Sequence, residues 1–296
     1  MYSFPIQYNE PLFRPPAEAN SLIFQVTLGC SWNKCAFCEM YTSKQFSVKK
    51  EAEIIREIKD AALVYPDLRK IFLADGNAMA LSTKKLLTIL NIIQENFPKA
   101  HRVSTYALPK DISSKSLDEL IELRNAGLKL LYIGIESGDD VILRLVNKAE
   151  TYDSTVQGLL KAKQAGMKLS VMIINGLAGL KYSEQHAIHS AKILNEIQPE
   201  FASTLTLMLP HGLEWYKKRF AGTFIEMNTI DLMKEMEIFI EHTNLKSTIF
   251  RSNHASNYLI LKGTLSRDND RLLQEIRYAA ANPEMIKFRE EWERGF

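Results

Sequence analysis

Short apolar runs recur along the chain, and between them apolar residues return at helical spacing. Leu22-Ile23-Phe24-Gln25-Val26-Thr27, Lys70-Ile71-Phe72-Leu73-Ala74, Val103-Ser104-Thr105-Tyr106-Ala107, Leu130-Leu131-Tyr132-Ile133-Gly134-Ile135, Leu169-Ser170-Val171-Met172-Ile173-Ile174 and residues 201–209 are rich in strand formers. Ile54, Ile58, Ala61, Ala62 and Tyr65 fit a helix over 49–64. Ser82 is placed to cap a helix through Leu86, Leu87, Leu90 and Ile93. Further helices are expected through Leu117, Leu120, Ile121 and Leu123, over 139–166 with a break near Lys148, over 183–197 and over 230–242. Strands at 247–250 and 258–261, then one or two helices after Ser266, close the chain.

Six strand-then-helix units imply a parallel sheet with right-handed crossovers, an α/β fold. The strand runs lack alternation, as expected when helices cover both faces of a sheet. Residues 1–20, with Pro5, Pro11, Pro15 and Pro16 and no period, read as an arm. The expected organisation is therefore an arm over 1–20, a barrel-like domain over 21–243 and a C-terminal extension over 244–296 that caps the substrate. In folds of this kind the working site lies at the carboxyl ends of the strands, so the residues just after each run matter most.

Composition narrows the function. Lys and Arg total 37 and Asp and Glu total 35, a formal net charge of +2, which argues against a strongly basic nucleic-acid surface. No uncharged apolar run reaches the roughly 18 residues of a membrane span. Met1-Tyr2-Ser3-Phe4-Pro5 shows no basic region followed by an apolar stretch, so no signal peptide is expected. A soluble, cytoplasmic protein is the expectation.

The cysteines carry the chemistry. There are only 3, all within Gly29-Cys30-Ser31-Trp32-Asn33-Lys34-Cys35-Ala36-Phe37-Cys38, immediately after the first strand. An odd, tightly clustered set is a poor disulfide framework and a good metal-ligand set. Three thiolates suit three irons of a cubane cluster and leave the fourth iron open for a reactant. The rival is zinc completed by a histidine, but zinc sites usually bring a second ligand pair, and the nearest downstream histidine is His101.

This loop resembles the signature of the radical S-adenosylmethionine (radical SAM) superfamily, Cys-x-x-x-Cys-x-aromatic-Cys after the first strand of a partial (β/α)6 TIM-like barrel. Phe37 fills the aromatic position, which in the family packs near adenine. The departure is one extra residue between the first two cysteines, giving Cys-x4-Cys-x2-Cys. The resemblance runs from about Ser21 to Gly212 and implies a 4Fe–4S cluster on Cys30, Cys35 and Cys38, with S-adenosylmethionine as the second cofactor.

Further site residues follow by the same resemblance. Asp75-Gly76-Asn77 stands where the family has a Gly-Gly-Glu-like turn for the methionine amino group, although the glutamate is absent. Glu136 and Ser137 end the fourth strand, where a carboxylate accepts from ribose hydroxyls. Arg144 and Lys148 are candidates for the methionine carboxylate, with a solvated helix residue as the plainer reading of each; Asp139-Asp140 suits a helix N-terminus. Ile174 and Gly176, in Ile173-Ile174-Asn175-Gly176-Leu177-Ala178-Gly179, resemble the adenine-contacting region. His211, in Met208-Leu209-Pro210-His211-Gly212, replaces part of a common Pro-Gly-Thr-Pro stretch and is a candidate acid, base or substrate anchor. Arg251-Ser252-Asn253-His254-Ala255-Ser256-Asn257-Tyr258 is dense in hydrogen-bonding groups and suits the mouth of a barrel.

The resemblance implies that an electron from a flavodoxin- or ferredoxin-like donor cleaves the sulfonium, and that the resulting 5′-deoxyadenosyl radical takes hydrogen from a substrate, a small molecule rather than a macromolecule. Family members that insert sulfur or carry auxiliary clusters need cysteines beyond the triad, and none remain. A compact single-cluster enzyme close to the coproporphyrinogen dehydrogenase-like branch is the reading that survives. A haem-handling chaperone of that branch and a zinc-binding interaction module are its rivals.

Overall fold

The structure, a computed structural model, describes residues 5–295; the expected absence of a signal peptide and the first four residues of the arm lie outside them. The chain divides into two compact units, one of residues up to 33, 38–133 and 157–169, the other of 34–37, 134–156 and 170 onward.

In the first unit, β1 (Leu22–Gln25), β4 (Lys70–Ala74), β5 (Arg102–Tyr106) and the first part of β6 (Leu128–Glu136) lie side by side in that order, all parallel. A short antiparallel pair, β2 (Thr27–Leu28) with β3 (Ser47–Val48), follows β1 and brackets the cysteine loop in sequence. Ile71, Phe72, Leu73 and Ala74 are fully buried, which is why this strand reads as an unbroken apolar run. Helices α1 (Glu51–Val64), α2 (Thr83–Asn96), α3 (Pro109–Ser113) and α4 (Leu117–Asn125) belong to this unit; α1 packs on α2 and α2 on α4. Ser82 caps α2 as its sequence position predicts, accepting from Lys85 N. Ser116 and Glu119 complete a capping box that starts α4.

The arm is docked rather than loose. Glu18, fully buried, receives Arg102 Nη2 at 2.6 Å and the Tyr132 hydroxyl at 2.6 Å. The Gln25 side chain bonds both the N–H and the C=O of Asn9, at 2.7 and 2.9 Å. A proline-rich segment with one short 3-10 turn, Pro16–Glu18, thus finds further partners on the first strand and its neighbours.

The expected helix over 139–166 is two: α5 (Asp140–Leu145) and α6 (Tyr152–Gln164). Asn147 adopts a left-handed conformation, φ +53°, which stops the first helix close to the anticipated break. In the second unit β7 (Lys168–Asn175), β8 (Phe201–Thr206) and β9 (Thr248–Ser252) run parallel, and β10 (Leu261–Leu265) returns antiparallel to β9. Helices α7 (Ser183–Ile197), α8 (Leu213–Arg219), α9 (Thr229–Glu241) and α10 (Asn269–Ala281) complete it, with α9 packed between α7 and α10. The architecture is α/β with a mostly parallel sheet, as the strand–helix alternation predicts. The short helices α3 and α8, too brief for periodicity to show, are additions to it.

Candidate functional site

In the first unit the site begins with Cys30 and Cys38, both half-buried. Cys30 follows Gly29, whose N–H donates to Asp75 Oδ2 at 2.9 Å. The same oxygen receives Lys44 Nζ at 2.9 Å, in an ion pair whose side chains are 5% and 0% exposed. Lys44 Nζ also donates to the carbonyls of Asn9 and Pro11, both at 2.6 Å. One buried ammonium therefore ties the arm, the tail of the cysteine loop and the end of β4 together. Burial, then the nearby Asp75 carboxylate, pushes the Tyr41 phenol far above its ordinary range.

Gly76 is where the two segments touch. A Cβ there would stand 2.8 Å from Tyr41 Cε2, 2.9 Å from Gly29 O and 3.0 Å from Cys30 Cα. Asn77 Nδ2 donates to Ser31 Oγ at 2.9 Å and also to Asp111 of α3. Asp75 Oδ1 and Asn77 Oδ1 are buried and lack a hydrogen-bond partner among the described residues. Two unsatisfied acceptors beside a cysteine loop suit a cationic or multiply donating ligand such as an amino group, because buried oxygens without partners are costly.

In the second unit the middle of the cysteine loop is fixed through its backbone. Ala36 N donates to Val146 O at 2.8 Å, Asn147 Nδ2 to Lys34 O at 3.1 Å, and Arg219 Nη2 to Cys35 O at 2.9 Å. Cys35 is 8% exposed, and Phe37 packs against a cluster of Ala36, Val146, Leu177, Tyr216 and Phe220. No disulfide involves the three cysteines, and among the described residues no three His, Cys, Asp or Glu side chains stand together as a ready metal site.

Glu136 closes β6 with φ +68°, a conformation that a non-glycine residue rarely holds without a reason. Its carboxylate pairs with Lys148 at 3.3 Å. Burial pushes the Glu136 carboxyl up, and Lys148 partly opposes that rise. Lys148 lies beyond α5, its side chain 6% exposed, so it is a partner of Glu136 rather than a solvated helix residue. Ser137 is buried and its Oγ contacts His186 Nδ1 at 2.9 Å. Asp139 caps α5, accepting from Val141 N and Ile142 N, and also holds Gln185 and His189. Arg144, in the last turn of α5, is exposed.

At the end of β7, Gly176 takes φ +83°, and a Cβ there would lie 2.7 Å from Leu232 Cδ2. His211 is exposed in the turn after β8, its ring 5.1 Å from that of Trp215. The polar stretch after β9 is ordered by the chain that follows it. Arg289 Nη1 donates to the carbonyls of His254 and Asn257, and Arg294 Nε to that of Ser256. Three residues escaped the sequence reading: Lys44, His186 and Glu235. The last two left a signal, because each is a polar residue on the buried stripe of its helix, among Ala187, Ser190, Ala191 and Leu194 in α7 and among Leu232, Met236, Phe239 and Ile240 in α9.

Residues 24–191 match the family profile of the radical SAM superfamily, more than half of the chain. The chain belongs to that superfamily, whose members use a 4Fe–4S cluster and S-adenosylmethionine. It is 25% identical over 169 residues to the heme chaperone HemW of Bacillus subtilis, a match covering 56% of this chain and 44% of that protein. It thus spans less than half the length of that relative. Among solved structures it resembles coproporphyrinogen III oxidase (HemN) from Escherichia coli, described as a radical SAM enzyme, with TM-score 0.59, 18% identity and coverage of 75% of this chain and 52% of that one. Methylornithine synthase (PylB) follows with TM-score 0.51, 15% identity and coverage of 76% and 63%. These likenesses confirm the α/β fold. No helix among the described residues is long and apolar enough to cross a membrane.

Proposed function

We propose that this chain is a radical SAM enzyme whose cluster is held by Cys30, Cys35 and Cys38. The observation that carries the proposal is the contact between Gly76 and Cys30, flanked by the unpartnered Asp75 Oδ1 and Asn77 Oδ1. Buried acceptors beside a three-thiol loop fit the amino group of S-adenosylmethionine. Bound together, the reduced cluster and S-adenosylmethionine supply a 5′-deoxyadenosyl radical for hydrogen abstraction.

The protein's own contribution is orientation and exclusion of water. Asp75 Oδ2 and Lys44 fix Gly29, and so the start of the loop; Arg219 fixes the backbone at Cys35. Glu136, with Lys148 beside it, offers a carboxylate for the ribose hydroxyls, and Ser137, Ile174 and Gly176 shape the adenosyl site around Phe37. Arg144, exposed on α5, is the candidate for the methionine carboxylate. His211, beside Trp215, is the candidate substrate anchor or proton carrier. The substrate is a small molecule, reached from the side of the polar stretch after β9, and the electron comes from a flavodoxin- or ferredoxin-like protein.

A second reading, haem handling without turnover, is favoured by the similarity to HemW. One experiment separates the two. Protein reconstituted anaerobically with iron and sulfide, then given dithionite and S-adenosylmethionine, is expected to form 5′-deoxyadenosine, and Cys35→Ala is expected to lose the iron. An intact, reducible cluster with no 5′-deoxyadenosine, together with tight haem binding, would select the chaperone reading.

A further inference from the structure

We propose that His186 and Glu235 are positioning residues that shape the two adenosyl-contacting turns, Glu136-Ser137 after β6 and Ile174-Asn175-Gly176 after β7. The inference rests on the proposed placement of S-adenosylmethionine at those turns.

His186 sits on the buried face of α7 and is 1% exposed. Its Nε2 lies 2.9 Å from the carbonyl oxygen of Ile174, and its Nδ1 lies 2.9 Å from Ser137 Oγ. A carbonyl only accepts, so Nε2 carries a proton and donates it. Nδ1 then accepts from the Ser137 hydroxyl, whose oxygen accepts in turn from Asp139 N at 3.1 Å. Each donor in this chain of contacts meets an acceptor. One imidazole thus bridges the ends of two strands and sets their separation.

Glu235 braces the second of these turns from α9. It is 2% exposed, and its Oε1 accepts the Gly176 N–H at 2.6 Å. One turn earlier in the helix, the carbonyl of Leu232 receives Asn175 Nδ2 at 3.2 Å, and the Leu232 side chain fills the space a Gly176 Cβ would need. Two consecutive residues of the turn are therefore bonded to one helix. Glu235 Oε2 and Thr204 Oγ1 have no hydrogen-bond partner among the described residues, and both residues line a small cavity with Asn175, His186 and Ser190. Burial pushes the Glu235 carboxyl up. His186 Nε2 lies 4.0 Å from Glu235 Oε1, so the two brackets meet behind the turn.

A glycine with φ +83° has many alternative conformations when its N–H is released. The bracket therefore acts on the ligand by denying the turn those alternatives, as residues behind a metal or cofactor ligand generally do. The Gly176 N–H needs an acceptor oxygen, which a carboxamide also supplies.

The test uses cluster-loaded protein and three variants, Glu235→Gln, Glu235→Leu and Glu235→Asp. S-adenosylmethionine affinity is read by equilibrium dialysis, with iron content alongside and amide exchange at Gly176 measured in the cluster-free protein. Glu235→Leu is expected to weaken S-adenosylmethionine on the order of 10–100-fold, raise exchange at Gly176 and keep its iron. KM for S-adenosylmethionine rises while turnover at saturation is retained. Glu235→Gln stays near the wild-type value on all counts. If Glu235→Leu does not fold, Glu235→Asp, too short to reach the Gly176 amide, carries the same expectation with a smaller shift. Wild-type affinity in a folded Leu or Asp variant, or a Gln variant as weak as the Leu variant, overturns the inference. Failure of the wild-type protein itself to bind S-adenosylmethionine would instead overturn the functional reading beneath it.

Discussion

The turn after β4 and the turn after β7 each end a parallel strand, yet they are held by opposite means. Asp75-Gly76-Asn77 fixes itself: its own side chains reach Gly29, Lys44, Ser31 and Asp111. Ile174-Asn175-Gly176 is fixed mainly from outside, by His186 of α7 and by Leu232 and Glu235 of α9. The first turn keeps unpartnered acceptors, whereas the backbone groups of the second are engaged from behind. A self-braced turn can present side-chain oxygens to a ligand's amino group. An externally braced one presents backbone and apolar surface, which suits an adenine ring.

Breaking the first turn at its ion pair is expected to have the largest effect. Asp75→Ala removes the counter-charge of the Lys44 ammonium, whose side chain is only 5% exposed, leaving it the Asn9 and Pro11 carbonyls, and frees the Gly29 amide. Loss of one partner from a buried pair costs about 3–5 kcal/mol. Urea unfolding should show that drop, with reduced iron uptake after reconstitution. A variant as stable as wild type would mean the pair does not hold the loop.

Gly76→Ala sharpens the comparison by testing packing alone. The added Cβ meets Gly29 O and Cys30 Cα at 2.9 and 3.0 Å, backbone atoms that move only with the loop. Overpacking of this kind costs about 1–3 kcal/mol. The expected outcome is a lower melting temperature and a perturbed cluster signal; an unchanged signal would separate the glycine from the site.

The smallest effect lies away from both turns, at His254. Burial, then the Arg289 charge, holds its pKa below the ordinary 6.5. The unfolded chain therefore takes up the proton first, so stability is full above about pH 6.5 and declines as pH falls below it toward the folded-state value. Melting curves across that range should show the decline in wild type and a flatter profile in His254→Gln. Equal slopes would place the effect elsewhere.

Much of this contrast was legible before the fold. Unbroken apolar runs located β1 and β4, which are buried along almost their whole length, whereas β7, β8 and β9 alternate in burial. The cysteine loop and the Asp75-Gly76-Asn77 turn were local in sequence and so readable. Lys44 was not, since its three acceptors, from Asn9, Pro11 and Asp75, come together only through tertiary packing. His186 and Glu235 lie far along the chain from the turns they hold. Only their polarity on otherwise buried helix faces marked them, and a buried polar residue does not say which backbone group it serves. A break near Lys148 is expected from the sequence, but its use, presenting Lys148 to Glu136, depends on the left-handed turn at Asn147.

The central claim is that three thiolates leave one iron open to S-adenosylmethionine. Electron paramagnetic resonance of the dithionite-reduced, reconstituted protein tests it most directly. A 4Fe–4S signal that changes on adding S-adenosylmethionine, and that is absent from Cys35→Ala, is the predicted result. A cluster signal indifferent to S-adenosylmethionine, or one that survives the loss of Cys35, would contradict the account.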